Sequence, residues 1–366
     1  MNAKPTIAFI IPGGIGTGRN NIGVPVLERI VRLLSVDFDI TVFQLFPVNK
    51  DYKAEGFTIV DIYSSNLILR FAKFFTVFWK HHRQKKFQAV HGFWALPCGL
   101  LAVVAGKLYN LKSIVSVLGG DAIALPEIQY GQLQRGLNRK LIFWTLNETD
   151  EPNALTQYLV DNLEKAGYKG KPLRVIPWGI DTDLFSFKER QLKLPLKFLH
   201  IGNLHPVKDQ DTLLRAFKII SDKKDAQLTL IGEGVLENHL SKMIHDLNLT
   251  YKVKIVEPVL YEQLPKYYEQ ADLLLHTSLS EGQSEVVTEA MSSGLLVCGT
   301  KVGLMFDLPD CCVAVDVGDF RSLAAEVLSV VDDHTRSQKI ISGAVQWSVR
   351  NDIHATVRCY HDLYVK

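Results

Sequence analysis

Two glutamates, Glu281 and Glu289, stand eight apart in the stretch EGQSEVVTEAMSSG (281–294). The apolar run DLLLHTS precedes it and ends at Ser278, followed by the loop LSEGQ. Ser284 is placed to cap a helix that runs through EVVTEAMSS and stops at Gly294. The backbone amides of Gly282, Gln283 and Ser284 would then open beside Glu281. Glu289 would lie about one and a half turns along, on the helix face of Glu285 and Val286. Carboxylates held this way suit hydrogen bonds from the hydroxyls of a sugar or a ribose, a task that surrenders no proton. The plainer reading is one charge near a cap and one on a helix surface. The residues alone leave both open.

Two further segments carry chemistry. In GNLHPVKDQDTLLRAF (202–217) a strand ends, a short loop carries Asn203, His205 and Lys208, and a helix begins near Asp209. A lysine beside a helix N-terminus suits a diphosphate, and it also suits plain solvent. In IIPGGIGTGRN (10–20), Gly13 and Gly14 follow the first apolar run, where loop amides can cradle phosphate or simply turn the chain. This is no GxGxxG, because Arg19 stands where the last glycine belongs. Nor is it a P-loop, because Arg19 and Asn20 replace the required lysine and hydroxyl residue.

These loops need strands to hold them. TIAFII (6–11), DITVFQL (39–45), AVHGF (89–93) and SIVSVL (113–118) are short and apolar, and VPVLERIVRLL (24–34) between them has helical spacing. The pattern restarts after LRVIPWGID with KFLHIG (197–202), QLTLIG (227–232), KVKIVE (252–257), DLLLHT (272–277), LLVCGT (295–300) and CVAVDV (312–317). Alternation of this kind predicts an α/β protein built of two Rossmann-like, doubly wound halves facing across a cleft. The first half is expected over 1–170 and the second over 171–345, with FSFKERQLKLPLK (185–197) as a linker. A length of 366 residues fits two domains.

Net charge is +2, which gives no argument for nucleic acid. The five scattered cysteines, with no CxxC, predict reduced thiols and a cytoplasmic protein. The apolar run after Lys4 is too short for a signal segment, and no run approaches the roughly 20 residues of a membrane span.

Together with VIPWGIDTDLF (175–185), the three segments resemble the family-four, GT-B-type retaining glycosyltransferases of polysaccharide and exopolysaccharide synthesis. The resemblance runs over nearly the whole chain. Gly202, Asn203 and Lys208 match a G(R/N)LxxxKG-like loop, and Gly232 and Gly234 match a strand ending in GxG. Ala271, Asp272, Ser278, Glu281, Gly282, Glu289, Ala290, Met291 and Gly294 match the segment that carries the family's paired glutamates. Trp178 departs from the asparagine of IPNG. Asn203 stands where the family often has an arginine, so Lys208 and the amides at 282–284 would carry more of the phosphate.

The resemblance implies a UDP- or GDP-sugar donor held mainly by the second half. Lys208 would contact the diphosphate, Glu289 the ribose, and Glu281 with the amides of Gly282, Gln283 and Ser284 the transferred sugar. Gly13 and Gly14 would approach the phosphates. It implies no cofactor and no metal ion, front-face attack by an acceptor hydroxyl, and retention at the anomeric carbon. The acceptor would be a glycan or a lipid-linked hydroxyl.

In the first half, VHGFWALPCGLLA (90–102) and SIVSVLGGD (113–121) resemble the family's acceptor-side segments, with Leu118 where histidine is common. Asp121 and His91 are the candidates there for a sugar-hydroxyl contact, with a structural role for His91 as the plainer reading. WSVRNDIHATVRCYHDLY (347–364) has helical spacing, and the resemblance sends a helix at 346–366 back to the first domain. LILRFAKFFTVFWKHHRQKK (67–86) places Leu67, Phe71, Phe74 and Phe78 on one helical face among six cations. That composition suits peripheral contact with an anionic membrane, or a core-facing helix with a basic end. Two other functions stay in view: a non-catalytic two-domain sugar-binding protein, and a dinucleotide-dependent sugar-nucleotide enzyme.

Overall fold

A computed structural model describes residues 4–18 and 23–365. Arg19 and Asn20, which decided against a P-loop, lie outside the described residues. The chain divides into two compact units, Met1–Pro177 with Ile353–Lys366, and Trp178–Asp352. Each is a parallel sheet with helices in the connections, the arrangement that apolar strands alternating with amphipathic segments demand.

The first unit holds seven strands: β1 (Thr6–Ile11), β2 (Asp39–Gln44), β3 (Thr58–Asp61), β4 (Ala89–Phe93), β5 (Lys112–Val117), β6 (Glu151–Ala154) and β7 (Arg174–Val175). Their order is β3-β2-β1-β4-β5-β6-β7, all parallel. The three strands without an apolar run in the sequence, β3, β6 and β7, are short and lie at or next to the sheet edges. The second unit holds six: β8 (Leu196–Ile201), β9 (Ala226–Ile231), β10 (Val253–Val256), β11 (Leu273–His276), β12 (Leu296–Thr300) and β13 (Val313–Val315). Their order is β10-β9-β8-β11-β12-β13, again parallel throughout. The strand order reverses between β8 and β11, and the loops after those two strands carry Lys208 and Glu281. Ligands of doubly wound sheets bind at such a switch point, beyond the carboxyl ends of the strands.

Two expectations are corrected, and between the two readings of the helix Leu67–Lys85 the aromatic face sides with the core. The segment 185–197 is no linker, for it lies wholly inside the second unit. Phe185 is buried against Tyr261 and Tyr268, with ring centroids 5.4 and 5.5 Å away. The Arg190 guanidinium donates to the carbonyls of Glu269, Ala271 and Ser293, satisfying acceptors that two helix ends leave free. The C-terminal pattern is not one helix: His334–Arg350 ends the second unit, and Ile353–Val365 packs in the first. The aromatic face of the helix Leu67–Lys85 points into the core. Phe74 and Phe78 have no exposed surface, and their ring centroids lie 5.9 and 5.2 Å from that of Phe43. What stays outside is the helix's first turn, with Leu67, Ile68 and Leu69 at 57%, 78% and 60% exposure.

Within the second unit the chain crosses itself at Gly179. A Cβ there would lie 2.1 Å from the Asp352 carbonyl carbon and 2.2 Å from the Asn351 oxygen. No rotamer change relieves a clash between backbones. Gly179→Ala is therefore expected to cost of order 1–3 kcal/mol in urea denaturation; an unchanged midpoint would show that the crossing yields freely.

Candidate functional site

The site in the second unit begins with glycines. Gly232, after β9, lets that loop press on the loop after β8: a Cβ there would lie 2.0 Å from the Gly202 carbonyl oxygen. A Cβ at Gly234 would lie 2.4 Å from that of Leu204. Braced this way, residues 202–209 run through a short turn at Pro206–Lys208 into the helix Gln210–Lys223. The Asp209 carboxylate accepts from the Thr212 amide at 3.3 Å and caps that helix.

The neighbouring loop, after β11, is stapled to it. The Leu279 amide donates to the Val207 carbonyl at 2.8 Å. The Thr277 hydroxyl donates to the carbonyls of Lys208 and Asp209, at 3.2 and 2.9 Å. The staple brings two side chains together that are far apart in sequence: Lys208 Nζ lies 2.6 Å from Glu281 Oε1. The Ser278 hydroxyl donates to the same oxygen at 2.5 Å, and Nε2 of the buried His276 lies 3.2 Å away. Burial by itself would raise the Glu281 pKa. The Lys208 ammonium and the His276 contact reverse that and hold the carboxyl well below the usual carboxylate range. Glu281 is thus a fixed anion, suited to accepting hydrogen bonds and unsuited to donating a proton near neutrality.

Past Glu281 the chain reaches Ser284 in a left-handed conformation, φ +75°, which costs a non-glycine residue about 1–3 kcal/mol. Ser284 precedes the helix Glu285–Ser292, but its side chain makes no cap, contrary to expectation. Among the described residues no acceptor meets the amides of Gln283 and Ser284. The Gln283 side chain has a structural task. Its Oε1 accepts from the Trp178 amide at 2.8 Å and its Nε2 donates to the Trp178 carbonyl at 2.6 Å, which ties the loop to residue 178.

Glu289 is 2% exposed and accepts a hydrogen bond from the Tyr268 hydroxyl at 2.6 Å. Burial pushes its pKa up to about 7 against the pull of that bond. Burial and the adjacent Glu289 push the partly buried Glu285 up to about 8. The helix therefore carries two carboxyls that ionise reluctantly, next to a Lys208–Glu281 pair that is fully ionised. Environments that separate titratable groups in this way gather at functional sites.

The remaining candidates are placed as follows. Asn203 is exposed beside Lys208, and its carbonyl accepts from the Gln210 side chain at 3.0 Å. Gly13 and Gly14 lie in the first unit, in the loop after β1. There Gly14 has φ +112° and its carbonyl accepts from the Val24 amide at 2.7 Å, just before the helix Pro25–Leu34.

Asp121 is corrected. It is fully buried, and its carboxylate accepts from the amides of Ala95, Leu118 and Gly119 at 2.8, 3.2 and 2.9 Å, which leaves no surface for a sugar hydroxyl. His91 is corrected too. It is fully buried between the Tyr364 hydroxyl at 2.7 Å and the Ser116 hydroxyl at 2.8 Å, and burial pushes its pKa down to about 3. It is a neutral core histidine that ties β4 and β5 to the helix Ile353–Val365. Among the described residues no group of three His, Cys, Asp or Glu side chains is placed to hold a metal ion.

Comparison with known proteins places the chain in a family. Residues 181–347 match the family model described as glycosyl transferases group 1, and residues 25–184 that of glycosyltransferase family 4. The chain belongs to the group 1 glycosyltransferases.

Its fold is that of the GT-B members. It superposes on sucrose-phosphate synthase from Thermosynechococcus elongatus with a TM-score of 0.81 and 20% identity, over 99% of this chain and 98% of that one. HepE of Anabaena, solved in complex with UDP and glucose, superposes with a TM-score of 0.77 and 18% identity, over 98% of both chains. The GPI3 subunit of phosphatidylinositol N-acetylglucosaminyltransferase from Saccharomyces cerevisiae is 27% identical over 173 residues, 45% of this chain and 38% of that protein. The match to that curated relative thus spans well under half of its length. N-acetyl-alpha-D-glucosaminyl L-malate synthase from Bacillus anthracis is 22% identical over 265 residues, 69% of this chain and 67% of that one.

One departure from the family pattern has a simple explanation here. At the position where the family has asparagine, Trp178 offers only its backbone to Gln283, so a change of side chain leaves both hydrogen bonds in place. Sequence reasoning missed Tyr268, His276 and the structural role of the Gln283 side chain. A tyrosine before the Ala271-Asp272 pair and a histidine ending an apolar strand were visible, but nothing local pointed them at a glutamate.

Proposed function

We propose that this glycosyltransferase moves a sugar, with retention, from a nucleoside-diphosphate sugar to a hydroxyl of a glycan or lipid-linked acceptor in polysaccharide or glycolipid assembly. The observation that carries the reading is the 2.6 Å contact between Lys208 and Glu281. In a sugar nucleotide the transferred sugar and the diphosphate share one bond. A cation for the phosphate and an anion for the sugar hydroxyls, within one hydrogen bond of each other, suit the two sides of that bond.

On this reading the Lys208 ammonium and the amides of Gln283 and Ser284 stabilise the negative charge that grows on the departing diphosphate. Glu281 accepts hydrogen bonds from the sugar's hydroxyls and fixes its orientation. Glu289 holds the ribose. The acceptor hydroxyl attacks from the face the diphosphate leaves, and the diphosphate oxygen takes the acceptor's proton. No protein nucleophile and no metal ion has a part in these steps.

UDP is the first base to test, since HepE binds it. In a thermal-shift assay UDP or GDP is expected to raise the melting temperature and NAD to leave it unchanged. A shift with NAD and none with either nucleoside diphosphate would contradict the reading.

We propose further that the exposed first turn of the helix Leu67–Lys85 touches an anionic lipid surface. Leu67, Ile68 and Leu69 would enter the interface beside Lys73 and Lys80, which are exposed on the same helix. No helix among the described residues is long and apolar enough to cross a membrane. Sedimentation with anionic vesicles at low salt is expected to pull down the protein, and Leu67→Ser with Ile68→Ser to release it. Protein left in the supernatant would end this proposal without touching the first.

A further inference from the structure

The helix Leu264–Gln270 supplies one side chain that the sequence gave no reason to place in the site. Tyr268 has no exposed surface, and its ring packs edge-on to Phe185 at 5.5 Å. Its hydroxyl donates to Glu289 Oε2 at 2.6 Å. A phenol has a single proton to give, and this one goes to the carboxylate. One oxygen of Glu289 is thereby occupied and its rotamer fixed.

We infer that Tyr268 is a positioning residue for the nucleoside: it holds Glu289 in the orientation in which the carboxylate accepts hydrogen bonds from the ribose diol. The inference rests on the assignment of Glu289 to the ribose. Ionisation is the weak point of that assignment, since a protonated carboxyl offers a poorer acceptor. The surroundings of Glu289 all bear on it. Glu285, one turn away on the same helix, opposes a second negative charge, and Lys208 moderates Glu285. Tyr261 and Tyr268 both favour the carboxylate. The helix His334–Arg350 packs on Glu285–Ser292 with Ser337, Ile340, Ile341, Ala344 and Ser348 buried, none of them titratable. Arg190 donates to the Ser293 carbonyl beyond this helix's end and to the carbonyls of Glu269 and Ala271. Tyr268 makes the 2.6 Å hydrogen bond to the carboxylate, with the buried Tyr261 beside it.

The test is calorimetric titration of UDP and GDP across pH 6–9, on the wild type and on Tyr268→Phe, which keeps the ring and removes only the hydroxyl. A hydrogen bond to a charged acceptor is worth a shift of about one pKa unit or more. The variant is expected to bind about tenfold more weakly at pH 6–7 and to recover toward wild type at pH 9. Turnover at saturating donor is expected to change less than about twofold while KM for the donor rises, the split that a positioning role produces. In a Glu289→Gln background the same tyrosine change is expected to add no further loss and no pH dependence. An unchanged pH profile in Tyr268→Phe, or an equal loss with and without Glu289, would overturn the inference and leave the donor assignment standing. A wild type that binds neither diphosphate would overturn both.

Discussion

Lys208→Ala is expected to reduce turnover about 10²- to 10³-fold, the usual effect of deleting one preorganised donor aimed at developing charge. It should also destabilise the fold. Lys208 and Glu281 keep only 20% and 14% of their side-chain surface, so removing the ammonium strands a carboxylate that little water reaches. Breaking a buried pair costs about 3–5 kcal/mol, and this partly hydrated one belongs at the low end, because Ser278 and His276 still reach the oxygen. The sign with pH follows. Glu281 has a folded pKa below its ordinary 4.5, so its pairing stabilises the fold above about pH 4.5 and fades as the pH falls toward the folded value. The gap in stability between variant and wild type is thus widest near neutrality and narrows in acid, which urea denaturation at pH 7 and pH 4 measures. A variant with wild-type product release would remove Lys208 from the diphosphate.

Glu289→Gln is expected to act in opposite directions on stability and on binding. The folded protein holds the Glu289 proton more tightly than the unfolded chain does, with a pKa of about 7 against 4.5. Ionisation therefore weakens the fold progressively as the pH rises from about 4.5 through 7. An amide escapes that penalty and still accepts from Tyr268. The variant should match the wild type at pH 5 and exceed it by of order 1–3 kcal/mol at pH 8. Binding should suffer, because charge-assisted hydrogen bonds to a ribose are worth about 1.5–3 kcal/mol, or roughly 10- to 100-fold in donor affinity. A Gln variant that is less stable at pH 8 would show that the carboxylate is better compensated than its surroundings suggest. Donor binding at wild-type strength would take Glu289 out of the ribose site.

The parts of this protein legible in its sequence are those set by short-range chemistry. The runs TIAFII and AVHGF declare β1 and β4 because a strand buried on both faces has no polar positions to spare. The last two strands of the sheet escape: β6 contains Pro152 and Asn153, and β7 at the edge has two residues. The aromatic helix Leu67–Lys85 shows the limit of composition, since Phe74 and Phe78 look the same whether they meet a membrane or Phe43. His91 and Asp121 are two more cases. His91 lies within β4 and Asp121 just after β5, and each spends its polar atoms inside the first unit. The family pattern supplied Lys208, Glu281 and Glu289. Their neighbours required the fold, because Lys208 meets Glu281 across 73 residues and Tyr268 meets Glu289 across 21. No local period encodes contacts of that range.

The central claim is that Lys208 and Glu281 hold the two sides of the bond that breaks. It is tested most directly by following nucleoside diphosphate release from a panel of UDP-, GDP- and ADP-sugars without acceptor, in wild type, Lys208→Ala and Glu281→Gln. The account predicts slow release from sugars of one base by the wild type, about 10²-fold less by either variant, and weaker binding of the free diphosphate in Lys208→Ala alone. Release by all three at one rate, or no release from any donor by the wild type, would contradict it.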